Sequence, residues 1–84
     1  MQEMIDVIAV DDIERWLVNK LSMLTNLPLH EIDIEVPITR YGLDSSALMT
    51  LSSELEDWLG TEIPHEILYE YPTVQLLAAK LRLG

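Results

Sequence analysis

Three runs of apolar residues in this chain repeat at the spacing of an α-helix, and no two runs alternate as paired strands would. Ile5, Ile8, Ala9, Ile13, Trp16, Leu17, Leu21 and Leu24 make the first stripe. Ala47, Leu48, Leu51, Leu55, Trp58 and Leu59 make the second, and Val74, Leu76, Leu77, Ala78, Leu81 and Leu83 the third. An apolar stripe must be covered, and helices without a sheet cover one another. The expectation is an all-α fold, a small four-helix bundle of three main helices and one short helix, with a long loop between helices one and two.

The stop and start signals agree with that division. Asp11 and Asp12 read as caps of a helix running to about Leu24 after a lead-in over residues 1–10, which is itself open to helix; an earlier start, with both acids inside, is the other reading. Asn26 and Pro28 stop it. Asp44 and Ser45 stand where the second helix begins, and Gly60 ends it. Pro64 introduces a short piece through Glu66, Ile67, Leu68 and Tyr69. Thr73 then caps the last helix, with Lys80 and Arg82 placed favourably near its C-terminal end.

Leu27 to Leu43 has no sustained period. Leu29, Ile32, Ile34, Val36 and Ile38 alternate over part of it, among Asp33, Glu35 and Pro37, as a strand would. Nothing else resembles a second strand to meet its backbone groups, so an ordered loop pinned by alternate apolar side chains is expected. A connection this long in so small a domain points to function.

At 84 residues the chain is one domain, with little room for an enclosed active site. Arg and Lys number 5 against 15 for Asp and Glu, a formal net charge of -10. Such a charge repels nucleic acid and anionic membranes and attracts basic patches on proteins. No apolar run is long enough for membrane insertion, and Met1-Gln2-Glu3-Met4-Ile5-Asp6 lacks the basic flank of a secretory signal. The cytoplasm is the expected compartment. Met1 and the short ends fit a freestanding protein or an excised unit equally. With no cysteine, any thiol chemistry needs a borrowed thiol.

Candidate chemistry concentrates at Tyr41-Gly42-Leu43-Asp44-Ser45-Ser46. Gly42 permits a positive-φ approach, and Ser45 is placed near the positive end of a helix, where a phosphate is favoured. Taken alone, Ser45 is most simply a cap, and Ser46 beside it likewise. Serine hydrolysis would need a base and an orienter; His30 and His65 are the only histidines, and no pattern brings either to Ser45. His30, Glu31, Asp33 and Glu35 lack metal-site spacing and read as solvated loop charges. Trp16, Trp58, Tyr41, Tyr69 and Tyr71 read as packing anchors, the tyrosine hydroxyls turned to water or a partner. Glu54, Glu56, Asp57, Glu62, Glu66 and Glu70 form a solubilising surface or, more sharply, a docking face for basic enzymes.

These residues carry a resemblance. Gly42-Leu43-Asp44-Ser45 matches the attachment motif of the acyl carrier protein family, the phosphopantetheine-dependent carrier domains. The family pattern continues through Leu48, Leu51, Glu54, Leu55, Leu59 and Gly60, then Ile63-Pro64, Leu68-Tyr69, Tyr71-Pro72-Thr73-Val74, Leu77-Ala78 and Leu81. Over Ile13 to Leu83 the chain is most similar to the polyketide-synthase type.

The resemblance implies a carrier domain over residues 11–84 with no catalysis of its own. Ser45 would receive 4'-phosphopantetheine from coenzyme A through a phosphopantetheinyl transferase, with Asp44 as helix cap and recognition residue and Gly42 and Leu43 completing the motif. The thiol so acquired would hold acyl or polyketide intermediates as thioesters. Polyketide-type relatives more often leave that cargo exposed. Expected partners are the transferase, an acyl-loading enzyme, a ketosynthase, an acyltransferase or tailoring enzymes with basic patches, docking on Ser46, Leu48, Glu54 and Glu66 of a monomer.

Two departures stand out. The family usually has a large aliphatic residue at Ser46, and many modular polyketide carriers have basic residues near Ser52 and Ser53. Peptidyl carriers of nonribosomal systems share the fold and cofactor but commonly have Gly at the position of Asp44, which makes that reading second. An acidic helical interaction module without a prosthetic group is the other alternative.

Overall fold

The structure, a computed structural model, describes residues 10–64 and 66–83. The lead-in with Ile5, Ile8 and Ala9, and also His65, lie outside the described residues. Helix α1 is Val10–Thr25, with Asp11 and Asp12 inside its first turn. Ile13, Leu17 and Leu21 are 1%, 0% and 0% exposed, so the stripe faces inward as its spacing dictates. The helix ends where Asn26 turns to φ 64, its amide still donating to the Ser22 carbonyl at 2.9 Å.

The connection to the next helix is an ordered loop with two 3-10 turns, Leu29–Glu31 and Ile38–Tyr41. Ile32 and Ile38 are buried, and Ile34 packs against the core. The alternation seen in the sequence does find a backbone partner. Pro37 and Thr73 form an antiparallel bridge, Ile38 donates to the Pro72 carbonyl at 2.7 Å, and Gln75 donates to the Ile34 carbonyl at 3.1 Å. The loop is therefore fastened to the chain entering the last helix as well as by apolar side chains.

Helix α2, Ser45–Leu59, buries Leu48, Leu51, Ser52 and Leu55. Ser52 sits in the core by donating to its own helix, to the Met49 carbonyl at 3.1 Å. Gly60 closes the helix at φ 73, where a side chain would be strained, and its amide donates to the Glu56 carbonyl at 2.7 Å. The link to the next helix is held by Glu56, whose carboxylate accepts the Ile63 amide at 2.6 Å.

The short helix α3, Ile67–Glu70, follows Pro64, whose carbonyl accepts the Ile67 amide at 3.0 Å. It holds because Ile67 and Leu68 are buried on the bundle. Helix α4, Val74–Leu83, is capped by Thr73, whose hydroxyl accepts the Leu76 amide at 3.1 Å. Val74, Leu77 and Ala78 are fully buried, and α4 packs chiefly on α1. Outside the core, the Trp16 and Trp58 rings stack across α1 and α2 at 5.3 Å and 11°. The all-α expectation holds, with four α-helices among the described residues around one leucine- and isoleucine-rich core.

Candidate functional site

The site is built where the loop meets α2. The 3-10 turn ends on Gly42 at φ 78, a left-handed conformation that bends the chain toward the helix start without Cβ strain. Leu43 next turns inward and packs against the core, which anchors the entry to α2. Asp44 is extended, at φ -86 and ψ 179, and its carboxylate accepts the Ala47 amide at 2.8 Å. Its own carbonyl accepts the Leu48 amide at 3.0 Å, the first bond of the helix ladder.

Asp44 is thus the cap, and Ser45 is the first helical residue. This settles the open reading of Ser45 as a capping hydroxyl: among the described residues its side chain makes no hydrogen bond, and it is exposed. The amides of Ser45 and Ser46 lie ahead of the ladder, with no helical carbonyl one turn behind them. An exposed hydroxyl so placed faces the positive end of α2.

Beside it is a hollow of about 220 Å³, lined by Ser45, Leu48, Met49, Glu66, Leu68 and Tyr69. Met49 and Tyr69 stand 56% and 61% exposed, and neither is singled out for docking by the sequence. Their positions next to the attachment motif and on the short helix were the available signal.

The four docking candidates fare differently. Ser46 and Glu66 are exposed, Ser46 on the first turn of α2 and Glu66 at the start of α3. Leu48 is 6% exposed and belongs to the core, as its place in the apolar stripe requires, and it reaches the surface only as part of the lining of that hollow. Glu54 is not a free acid, because it pairs with Lys20 at 2.6 Å. Glu56 is likewise taken up by the Ile63 amide. The Tyr41 hydroxyl lies at the exposed side of the loop, where it binds both backbone groups of Asp33. His30 is exposed and 4.0 Å from Glu31. Among the described residues no acid and histidine cluster could hold a metal, and no helix is long and apolar enough to cross a membrane.

Comparison with known proteins places this geometry in a family. The family described as a phosphopantetheine attachment site matches residues 15–81. The acyl carrier protein TtuC of Teredinibacter turnerae is 32% identical over 56 residues, covering 67% of this chain and 64% of that protein. Polyketide synthase PksM of Bacillus subtilis is 34% identical over 68 residues, covering 81% of this chain but 2% of the synthase. The chain therefore spans under two thirds of the first and a small fraction of the second.

Among solved structures, an acyl carrier protein from Anabaena sp. PCC 7120, Asl1650, with a variant phosphopantetheinylation-site sequence, superposes with a TM-score of 0.83 at 33% identity, covering 89% of this chain and 85% of that one. A free-standing peptidyl carrier protein from an Acinetobacter baumannii secondary metabolic pathway gives 0.80 at 28% identity, covering 86% and 90%. The chain belongs to the phosphopantetheine-attachment family, the carrier domains whose prosthetic group is 4'-phosphopantetheine.

Proposed function

We propose that Ser45 is the attachment residue and that the chain carries acyl or polyketide intermediates for polyketide or related lipid biosynthesis in the cytoplasm. The carrying observation is the division of labour at the start of α2: Asp44 caps the helix, which leaves the Ser45 hydroxyl exposed and without a hydrogen bond. The residues fit the group. Ser45 offers a reachable oxygen, and the forward amides of α2 suit the phosphodiester charge.

In the loading step the Ser45 oxygen forms a bond to the pantetheine-side phosphorus of coenzyme A as the pyrophosphate bond breaks. The nucleotide part leaves, and the serine proton passes to a base on the transferase. Once attached, the group supplies the thiol this chain lacks and holds acyl cargo as a thioester. Asp44 orients the helix start and is a recognition residue for the transferase, with Gly42 and Leu43 setting its approach.

The match to a segment of a polyketide synthase supports that pathway class, with a ketosynthase, an acyltransferase, an acyl-loading enzyme and tailoring enzymes as partners. Docking rests on Ser46 and Glu66 together with Met49 and Tyr69, since Glu54 and Glu56 are engaged within the fold. The net charge of -10 steers basic partners toward a short-lived complex of the monomer. The likeness to a peptidyl carrier supports a second reading, with an aminoacyl cargo.

Intact mass after incubation with coenzyme A and a broad-specificity phosphopantetheinyl transferase tests the assignment. One phosphopantetheine should be gained by the wild type and by Ser46→Ala, and none by Ser45→Ala. A folded wild type that gains nothing, while a known carrier is modified in parallel, would sink the assignment and favour the acidic interaction module.

A further inference from the structure

We propose that the enzymes served by this chain, the loading transferase among them, meet α2 through an uncharged, hydrogen-bonding surface and set their cations over α3 instead. The inference deepens the docking reading above and rests on Ser45 being the attachment residue. At about 100° per residue, Ser46, Thr50, Ser53 and Asp57 fall on one line of α2, opposite the buried Leu48, Leu51 and Leu55. All four are exposed. Ser46, Thr50 and Ser53 make no side-chain hydrogen bond among the described residues. Three hydroxyls, each able to donate and to accept, therefore form the outward ridge of the part of α2 nearest Ser45.

The acids of α2 are withdrawn from that ridge. Glu54 lies on the flank toward α1, where Lys20 holds it at 2.6 Å. Glu56 lies on the other flank, where its carboxylate accepts the Ile63 amide at 2.6 Å. Asp44 is bonded to the Ala47 amide at 2.8 Å. Asp57 is the charge left on the ridge, and twelve residues of helix place it roughly 18 Å along the axis from Ser45. Glu62, Glu66 and Glu70, on α3 and its approach, are exposed and form no ion pair among the described residues. Glu66 also lines the hollow beside Ser45. The unpaired negative charge next to the attachment residue is thus on the α3 side.

The chemistry of the partner follows by complementarity. A cation brought over the α2 ridge loses water and meets no opposite charge, and a carboxylate brought there is desolvated in the same way. Peptide groups, amides and hydroxyls exchange their water for the serine and threonine hydroxyls at little net cost. Cations over α3 meet Glu66 and Glu70, which fixes which way round the enzyme sits on Ser45. Charge orients the partner from one side, and neutral hydrogen bonds make the contact on the other.

The test measures kcat/KM for loading from coenzyme A by a broad-specificity phosphopantetheinyl transferase, followed by intact mass at low and high salt, with thermal melts to check that each variant is folded. Thr50→Glu with Ser53→Glu, and separately Thr50→Lys with Ser53→Lys, should each lower kcat/KM by about fivefold or more, whichever the sign of the charge. Thr50→Ser with Ser53→Thr keeps both hydroxyls and should recover most of the wild-type value. Glu66→Lys with Glu70→Lys should lower kcat/KM by about fivefold at low salt and by less at high salt. A gain from the Glu pair on α2 would mean that a basic patch docks there and would overturn the proposal. A gain from the Lys pair, no effect from either sign, or an α3 reversal without effect would overturn it too. A folded wild type that gains no mass, while a known carrier is modified in parallel, would instead sink the Ser45 assignment on which it rests.

Discussion

The Tyr41 hydroxyl meets both backbone groups of Asp33, accepting its amide at 2.7 Å and donating to its carbonyl at 2.9 Å. The Asp33 carboxylate in turn accepts the Glu35 amide at 2.9 Å. Together these close the middle of the loop onto the turn that delivers Gly42 and Asp44. Tyr41→Phe removes the hydroxyl and keeps the ring against the core. Because the freed backbone groups can reach water, the loss of global stability should be about 1 kcal/mol in urea melts. The local effect should be larger, with amide exchange faster at Asp33 and Glu35 and unchanged in α4. Unaltered exchange at Asp33 would refute the staple.

Asp44 carries two roles that substitution can separate. Asp44→Ala removes the cap and should cost about 1 kcal/mol, while Asp44→Asn keeps an oxygen for the Ala47 amide and should stay near wild type. If the charge itself is recognised, Asp44→Asn will fold normally and accept phosphopantetheine more slowly. Wild-type loading by a stable Asp44→Asn would reduce Asp44 to a cap.

The helices were legible because Leu17, Leu51 and Leu77 fall on stripes that only a helix can align, and their ends are marked by Gly60, which lacks the Cβ that its positive φ would strain, and by Thr73, whose hydroxyl caps. The bridge between Pro37 and Thr73 was not legible. A single pairing between residues far apart in the chain leaves no repeated pattern to read. Helix acids also look alike in sequence, so nothing there separates Glu56, tied to a backbone amide, from Asp57, which is exposed. Asp44 and Ser45 were placed correctly at the helix start, but which of the two caps is decided by the one-residue phase of α2.

That difference among acids is measurable. Glu56→Ala leaves the Ile63 amide, part-buried in the α2–α3 link, without its anionic partner, and should cost about 2 kcal/mol. Glu54→Ala breaks an ion pair whose carboxylate is 44% exposed. Its cost should be about 0.5 kcal/mol or less, and smaller still in high salt. Equal losses from the two substitutions in urea melts would contradict the separate roles assigned to them.

The stacked pair of Trp16 and Trp58 offers a last test, because it joins α1 to α2 outside the aliphatic core. The Lys20 ammonium lies 5.3 Å from the centroid of the Trp16 ring while its nitrogen holds Glu54, so the pair is part of a wider clasp. In a double-mutant cycle with Trp16→Leu and Trp58→Leu, the coupling should be about 1 kcal/mol, the size found for aromatic pairs beyond their buried area. Either single substitution should also abolish any paired-indole signal in near-ultraviolet circular dichroism. Leucine keeps most of the apolar contact and disrupts the stack, so purely additive losses would mean that the rings contribute area alone.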